Sequence, residues 1–206
     1  MSHEPFVSLT GIAAALPQAN VDTDVIMPKQ FLKGIDRTGL RDGFLFDLRF
    51  EAPGKPRPGF VLNGEPWSRA SFLVAGPNFG CGSSREYAVW GMVQFGIRAV
   101  FATSFGGIFH DNCLRNGVPA VVLAAKDVET LVEVASDPAR CGITVDLPRQ
   151  EIRCGADGPR IRFDIDPLCK DALVRGLDPV GATLEHAEAI RAFERDHLSA
   201  NPWLAN

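Results

Sequence analysis

The middle of the chain alternates short apolar runs with longer segments in which apolar residues recur at helical spacing. A strand buried on both faces reads as a continuous apolar run, so three such runs predict strands, at residues 71–75, 98–102 and 120–123. The segments between and after them predict helices, at residues 84–95, 105–116 and 128–135, the last with Asp127 as its cap. This alternation with short links is typical of a parallel sheet with right-handed crossover helices, and therefore of an α/β fold.

The pattern changes after residue 140. Three short runs separated by turn residues favour antiparallel pairing, at residues 143–147, 151–154 and 160–165. Two further helices are predicted, at residues 167–175 and 185–196, and the last nine residues are expected to form a loosely held tail unless Trp203 docks. Before the patterned middle, the Pro- and Gly-rich residues 51–66 predict an irregular connection. We expect a single domain over residues 1–206, with residues 183–206 as a helical C-terminal tail.

Composition narrows the class of protein without changing this picture. The chain has 206 residues, of which 46% are hydrophobic and 22% charged, as in an ordinary folded domain. The net charge is −4 and Lys and Arg are scattered, which argues against a nucleic-acid partner. The apolar run at residues 12–16 is far shorter than the roughly 20 residues that cross a bilayer, so no membrane association is expected. The start shows no secretory signal pattern, which predicts a cytoplasmic protein.

The five cysteines are spread along the chain, at Cys81, Cys113, Cys141, Cys154 and Cys169. No two of them form a CxxC pair. An odd number of cysteines without a secretory signal argues against a disulfide framework. The spacing also argues against a zinc or iron–sulfur site encoded in this chain, so we expect it to bind no metal itself.

The segment with the strongest functional pattern is residues 79–86, between a predicted strand and a predicted helix. Open α/β sheets place their ligands at this kind of junction. Gly80 and Gly82 allow the backbone to approach a ligand closely, and a helix start favours an anion. Arg85 adds a guanidinium fork that suits carboxylate or phosphate. Together these features predict an anion site and favour a carboxylate as its ligand.

The same segment has other interpretations: two nucleotide-binding motifs that it matches only in part, and a purely structural role. The glycine pattern resembles a dinucleotide fingerprint but ends in Arg85, where Gly or Ala is needed, and no Lys completes a phosphate-binding P-loop. Ser83 and Glu86 fit a capping box, so the structural alternative is that Ser83 only caps the helix.

Several long motifs, in order, resemble the small-subunit family of 3-isopropylmalate dehydratase, within the aconitase superfamily. The strongest is FLVAGPNFGCGSSRE at residues 72–86. The resemblance extends to NVDTDVIMPKQFLK at residues 20–33, TSFGGIFHDNC at 103–113, GVP at 117–119, GLD at 176–178 and TL at 183–184. Essentially the whole chain is covered.

The resemblance implies a swivelling β/β/α domain, with a partly parallel central sheet, crossover helices and a C-terminal helical tail. It implies a large-subunit partner, in a heterodimer or heterotetramer, that holds a [4Fe-4S] cluster. It also implies a hydro-lyase of leucine biosynthesis, which isomerises 2-isopropylmalate and 3-isopropylmalate by dehydration and rehydration. The substrate is a small branched dicarboxylate, and the chain is expected to act only with its large subunit.

The resemblance also assigns roles to particular residues. Ser83 matches the family's base, Arg85 its carboxylate-binding arginine, and Ser84 the neighbouring hydrogen-bonding serine. Asp24 and Thr23 match an active-site aspartate and its neighbour, for which the alternative is a turn without chemistry.

The segment at residues 30–47 matches the family's loop that reads the substrate side group. Its candidate specificity residues are Phe31, Leu32 and Lys33, and the alternative is ordinary packing.

Two positions depart from the family pattern. Tyr87 stands where the family commonly has His, and Gly106-Gly107 stands where it has bulkier residues. Tyr87 leaves open a related enzyme acting on citraconate, dimethylmaleate or a homoaconitate-type acid. A non-catalytic carboxylate- or nucleotide-binding module is a third possibility. His110 is expected at the surface or an interface, since no partner for catalysis is nearby in sequence.

Overall fold

The structure is a computed structural model that describes residues 3–33, 37–83 and 85–204. Its strands are β1 (Ser8–Leu16), β2 (Phe50–Ala52), β3 (Lys55–Pro56), β4 (Ala70–Ala75), β5 (Ala99–Ala102), β6 (Ala120–Val122), β7 (Gly142–Asp146), β8 (Glu151–Cys154) and β9 (Arg160–Arg162). Its α-helices are α1 (Thr23–Ile26), α2 (Phe46–Arg49), α3 (Glu86–Phe95), α4 (Gly107–Arg115), α5 (Ala125–Ser136), α6 (Pro167–Arg175), α7 (Pro179–Leu184) and α8 (Ala187–Ala200).

The main sheet of the described chain has the order β6-β5-β4-β1-β7-β8-β9. The strands β6, β5, β4 and β1 pair in parallel and form what we call the parallel half. The strands β7, β8 and β9 pair antiparallel and form the antiparallel half, and β7 joins β1 antiparallel. The predicted α/β class, the parallel middle and the antiparallel strands after it are confirmed.

The central strand β1 was not predicted. Its sequence, SLTGIAAAL, is rich in Ala, which has low β-propensity, so the local pattern gives little strand signal. Tertiary pairing decides its conformation, because it lies between β4 and β7 and bonds to both. The strand therefore joins the two halves of the sheet.

Both faces of the central part of the parallel half, β4 and β5, are buried. In β4, Phe72 and Val74 point into one core cluster and Leu73 and Ala75 into the other, as the two-residue period of a strand requires. Helices α3 and α4 cover the Leu73 face, and α5, α6 and the antiparallel half pack in the Phe72 cluster. This two-sided burial explains why the strand reads as a continuous apolar run.

Some local predictions were wrong at their ends. Helix α5 begins at Ala125 after Ala124, without a side-chain cap, so Asp127 lies in its first turn and is not the cap. Residues 51–66, expected to be irregular, include the short β2–β3 pair.

The C-terminal segment is more helical than expected. Helix α8 continues to Ala200, and a 3₁₀ turn covers Pro202–Leu204. None of the residues of α8 is buried, and Trp203 is 70% exposed, so it does not dock within this chain. No helix in the described ranges has the length and apolar character needed to cross a membrane.

Candidate active site

Three loops meet where parallel strands end. They follow β1, β4 and β5, and the carboxyl ends of parallel strands lie at the same edge of a sheet. The Gly80 amide donates to the Val21 carbonyl at 2.8 Å, and the Thr23 amide donates to the Cys81 carbonyl at 2.9 Å. The loop after β5 joins them through the Gly106 amide, which donates to the Phe79 carbonyl at 2.9 Å. The predicted anion loop is therefore held by backbone bonds on both sides.

The two loop glycines adopt backbone conformations that favour glycine. Gly80 has φ 74° and Gly82 has φ 88°. A Cβ atom on Gly80 would lie 2.1 Å from the Phe109 ring, so the close approach at Gly80 is to the protein's own core. Close approach of a ligand to the backbone of this loop stays a prediction.

The loop after β1 presents Asp24 on the short helix α1. Asp22 caps that helix, since its Oδ1 accepts a hydrogen bond from the Val25 amide at 2.8 Å. The side chain of Thr23 is buried, and its hydroxyl makes no hydrogen bond within the described residues. Asp22 thus has the structural role in the Asp-Thr-Asp sequence, and Asp24 remains partly exposed.

Arg85 and Asp24 form an ion pair across the junction between the loops. The Arg85 Nη1 donates to Asp24 Oδ1, although the residues are 61 positions apart in the chain. Their side chains are 28% and 42% exposed, so water screens the pair and its contribution to stability is small. The pair fixes the orientation of the guanidinium by one of its edges. Because a guanidinium carries five N–H donors, other donors remain for a ligand.

The capping-box interpretation of Ser83 is wrong. Helix α3 begins at Glu86 with Arg85 as its N-cap residue, and no side chain caps it. The Glu86 Oε1 instead accepts from the Asn116 Nδ2 at 2.8 Å. Ser83 is exposed in the loop before the helix. Ser84, predicted to bind substrate, lies outside the described residues.

Asn116 is a residue whose role the sequence interpretation missed. Besides bonding Glu86, its Oδ1 accepts from the Trp90 Nε1 at 3.1 Å, which fastens the end of α4 to α3. The sequence suggested only a helix stop at Asn116-Gly117, because nothing local indicates a partner 30 residues away.

The candidate specificity residues lie beside the same core. Phe31 and Leu32 are half-buried and pack against the cluster that includes α3, whereas Lys33 is exposed. The Phe31 ring centre is 5.0 Å from that of Phe46. Packing therefore accounts for part of their burial and leaves some of each side chain accessible.

The thiols show no sign of a metal site. Burial raises the pKa of the Cys113 thiol well above its ordinary value, and burial also raises the pKa of Cys141, Cys154 and Cys169. In the described ranges no three His, Cys, Asp or Glu side chains are grouped to hold a metal ion. His110 is half-buried beside the Phe105 ring, at 5.9 Å between ring centres.

The geometry brings a guanidinium and a carboxylate together on a face that is partly open to solvent, and the exposed Ser83 lies in the loop before α3. Arg85 at the helix start supplies positive charge for an anion, and Ser83 lies two residues before it. The arrangement suits binding of a carboxylate.

Comparison with known proteins shows which family the chain resembles over its whole length. The family model for the aconitase C-terminal domain matches residues 3–126, and the one for the C-terminal domain of the 3-isopropylmalate dehydratase small subunit matches residues 180–206. The chain is 53% identical to 3-isopropylmalate dehydratase small subunit 1 of Mannheimia succiniciproducens, over 98% of each chain. It is 49% identical to the small subunit from Xanthobacter autotrophicus, over 98% of this chain and 100% of that one.

A solved structure agrees with the fold. The crystal structure of 3-isopropylmalate dehydratase from Methanocaldococcus jannaschii matches 91% of this chain and 99% of its own, with a TM-score of 0.66 and 26% identity. Sequence, family models and fold point to the same proteins. The chain belongs to the small-subunit family of 3-isopropylmalate dehydratase, and its fold is that of the aconitase C-terminal domain.

Proposed function

We propose that this chain is the small subunit of a hydro-lyase that isomerises 2-isopropylmalate and 3-isopropylmalate in leucine biosynthesis, in the cytoplasm. Water leaves to give an alkene diacid and returns with the hydroxyl on the neighbouring carbon. The observation that carries the proposal is the Arg85–Asp24 pair at the edge where three strand ends meet, in the loop that also carries Ser83. The names of the similar small subunits support the substrate.

Arg85 would bind a carboxylate of the substrate. Asp24 holds one N–H of its guanidinium, so the remaining donors face an incoming anion in a fixed orientation. The Arg85 side chain is 28% exposed, which keeps it within reach of a substrate. Ser84 and Thr23 are proposed to support this carboxylate, Thr23 through the buried hydroxyl beside Gly82, whose Cβ position lies 3.8 Å from it.

Ser83 would move the proton. Dehydration requires that a C–H next to a carboxylate lose its proton. Ser83, as its alkoxide, would take this proton and become a hydroxyl, and during hydration it would return the proton to the other carbon and become the alkoxide again. A serine oxygen accepts such a proton only where its negative charge is stabilised. Arg85 and the start of α3 supply positive charge there, and a partner surface closing over this face would exclude water.

We infer that this chain is the subunit of the enzyme that holds no metal. A [4Fe-4S] cluster, which we assign to the large subunit, would supply a Lewis acid for the departing hydroxyl. Two properties of this chain support the assignment: its cysteines are dispersed, and four of the five have raised pKa values through burial, which disfavours the thiolate that binds iron. The two subunits would form a heterodimer or a heterotetramer.

Phe31, Leu32 and Lys33 are proposed to meet the substrate's side group. The half-buried Phe31 and Leu32 offer an apolar surface of the kind that an isopropyl group contacts. Tyr87 is a reason to test related diacids as substrates as well, because its phenol stands where the family commonly has an imidazole. Citraconate, dimethylmaleate and homoaconitate-type acids are the alternatives.

Reconstitution tests the proposal. We expect the chain alone to leave isopropylmaleate unchanged, and the chain mixed anaerobically with its cognate large subunit to hydrate it. The measurement is loss of alkene absorbance, with the large subunit alone as the control. Turnover by the isolated chain, or turnover of citraconate but not isopropylmaleate by the complex, would contradict the proposed function.

A further inference from the structure

We propose that Gln94 and Trp90 are positioning residues for substrate choice, because they fasten residues 37–40, which belong to the same segment (residues 30–47) as the specificity residues Phe31, Leu32 and Lys33. The inference rests on the proposed function and deepens it. Both residues lie on α3, which also carries Arg85 at its start.

Gln94 uses both ends of its amide on the backbone of this segment. Its Oε1 accepts a hydrogen bond from the Leu40 amide at 2.8 Å, and its Nε2 donates to the Arg37 carbonyl. The Gln94 side chain thereby satisfies one backbone N–H and one backbone C=O group of residues that no strand in the described chain pairs with. Leu40 is 4% exposed, so its amide would lose a bond with little water to replace it.

Trp90 and Gly91 provide the surface on which the segment rests. The Arg37 guanidinium lies 4.1 Å from the centre of the Trp90 ring, a cation–π contact. A Cβ atom on Gly91 would lie 3.1 Å from the Leu40 carbonyl oxygen and 2.0 Å from the Met27 methyl carbon. The backbone of the segment therefore packs directly on the helix.

The other end of the segment is fixed by packing. The Phe31 ring abuts Gly43, where a Cβ atom would lie 2.7 Å from the ring, and its centre lies 5.0 Å from that of Phe46. Phe31 is thus held against the α2 region, and residues 37–40 are held on α3. Residues 34–36 lie outside the described residues.

Helix α3 fixes the distance between Arg85 and Gln94. Arg85 and Gln94 are nine residues apart, about 13 Å along the axis of a helix. One rigid element therefore relates the guanidinium that binds the shared carboxylate to the segment that meets the variable side group. Loosening the Gln94 anchor should change discrimination between side groups and leave carboxylate binding largely intact.

The test uses the reconstituted complex with the variant Gln94→Met, which keeps the side-chain length and helix propensity but removes both hydrogen bonds. We expect the ratio of kcat/KM for 2-isopropylmalate over 2-methylmalate to fall about fivefold to tenfold, through KM for the larger substrate. Arg37→Ala, at an exposed position, should lower the same ratio about twofold. Val93→Ala, at an exposed position of the same helix, is the matched control.

A second measurement is independent of activity. Hydrogen exchange at the Leu40 amide should be faster in Gln94→Met than in the natural chain, with amides of β4 unchanged. An unchanged ratio in both variants, or an equal loss of kcat/KM for both substrates, would overturn the positioning role. If the natural complex does not turn over isopropylmalate, the proposed function fails, whereas the exchange measurement still reports on the anchor.

Discussion

The two halves of the sheet differ in what their strand ends carry. In the parallel half, β1, β4 and β5 run the same way, so the loops after them meet at one edge and bring Asp24 to Arg85. In the antiparallel half, β7, β8 and β9 are joined by tight turns at alternating edges, and none of the predicted site residues lies there. Both halves bury an apolar core, so strand direction decides where the site forms.

The contrast predicts a separation of effects. Changes in the loops of the parallel half should alter turnover with small effects on stability. Changes in the core of the antiparallel half should do the reverse.

The largest expected effect is that of Ser83→Ala on turnover. Removing the proposed base should lower kcat about a thousandfold or more in the reconstituted complex. Ser83 is exposed and does not cap α3, so the free energy of unfolding should change by no more than about 0.5 kcal/mol. Steady-state kinetics and urea denaturation measure the two quantities.

The matched control for that variant lies in the antiparallel half. Thr144→Val removes a hydroxyl from β7 that lies 2.8 Å from the Thr10 hydroxyl. It should leave kcat unchanged. Equal activity of Ser83→Ala and the natural chain would contradict the role of Ser83 and weaken the contrast between the halves.

A core substitution in β8 should give the opposite result. Ile152 is fully buried between β7 and β9, paired with Val145 and Ile161. Ile152→Ala should lower the free energy of unfolding by about 2–4 kcal/mol, because it leaves a cavity. Activity of the folded fraction should be retained. A large loss of kcat at full folding would show that the two halves are more strongly coupled than their topology implies.

A smaller effect is expected from Arg85→Lys. Lysine keeps the charge but loses the planar fork, so KM for isopropylmalate should rise about tenfold to a hundredfold. Arg175→Lys is the control, since Arg175 also pairs with a carboxylate, Asp171 at 3.1 Å, but at an exposed position of α6. Equal kinetics for the two variants would remove Arg85 from the substrate site.

Much of the fold followed from local pattern. The strands and helices of the middle and the antiparallel strands after it are correct to within about three residues at each end, because apolar periodicity depends on near neighbours. The local pattern does not predict strand β1, since its alanines have little strand preference and its pairing is wholly non-local. The capping role of Ser83 was wrong for a related reason: Glu86 has a better partner in Asn116, 30 residues away.

By itself, the sequence determined the α/β class, the loop at residues 79–86 as an anion-binding candidate, and the family resemblance. Only the tertiary structure decided that Arg85 pairs with Asp24, that Asp22 and Gly80 serve the scaffold, and that Gln94 fastens the segment at residues 37–40. The physical reason is the separation along the chain over which each kind of interaction acts. Periodicity and turn chemistry act between neighbours, whereas these contacts exist only because β1 is inserted beside β4 and places distant loops at one edge.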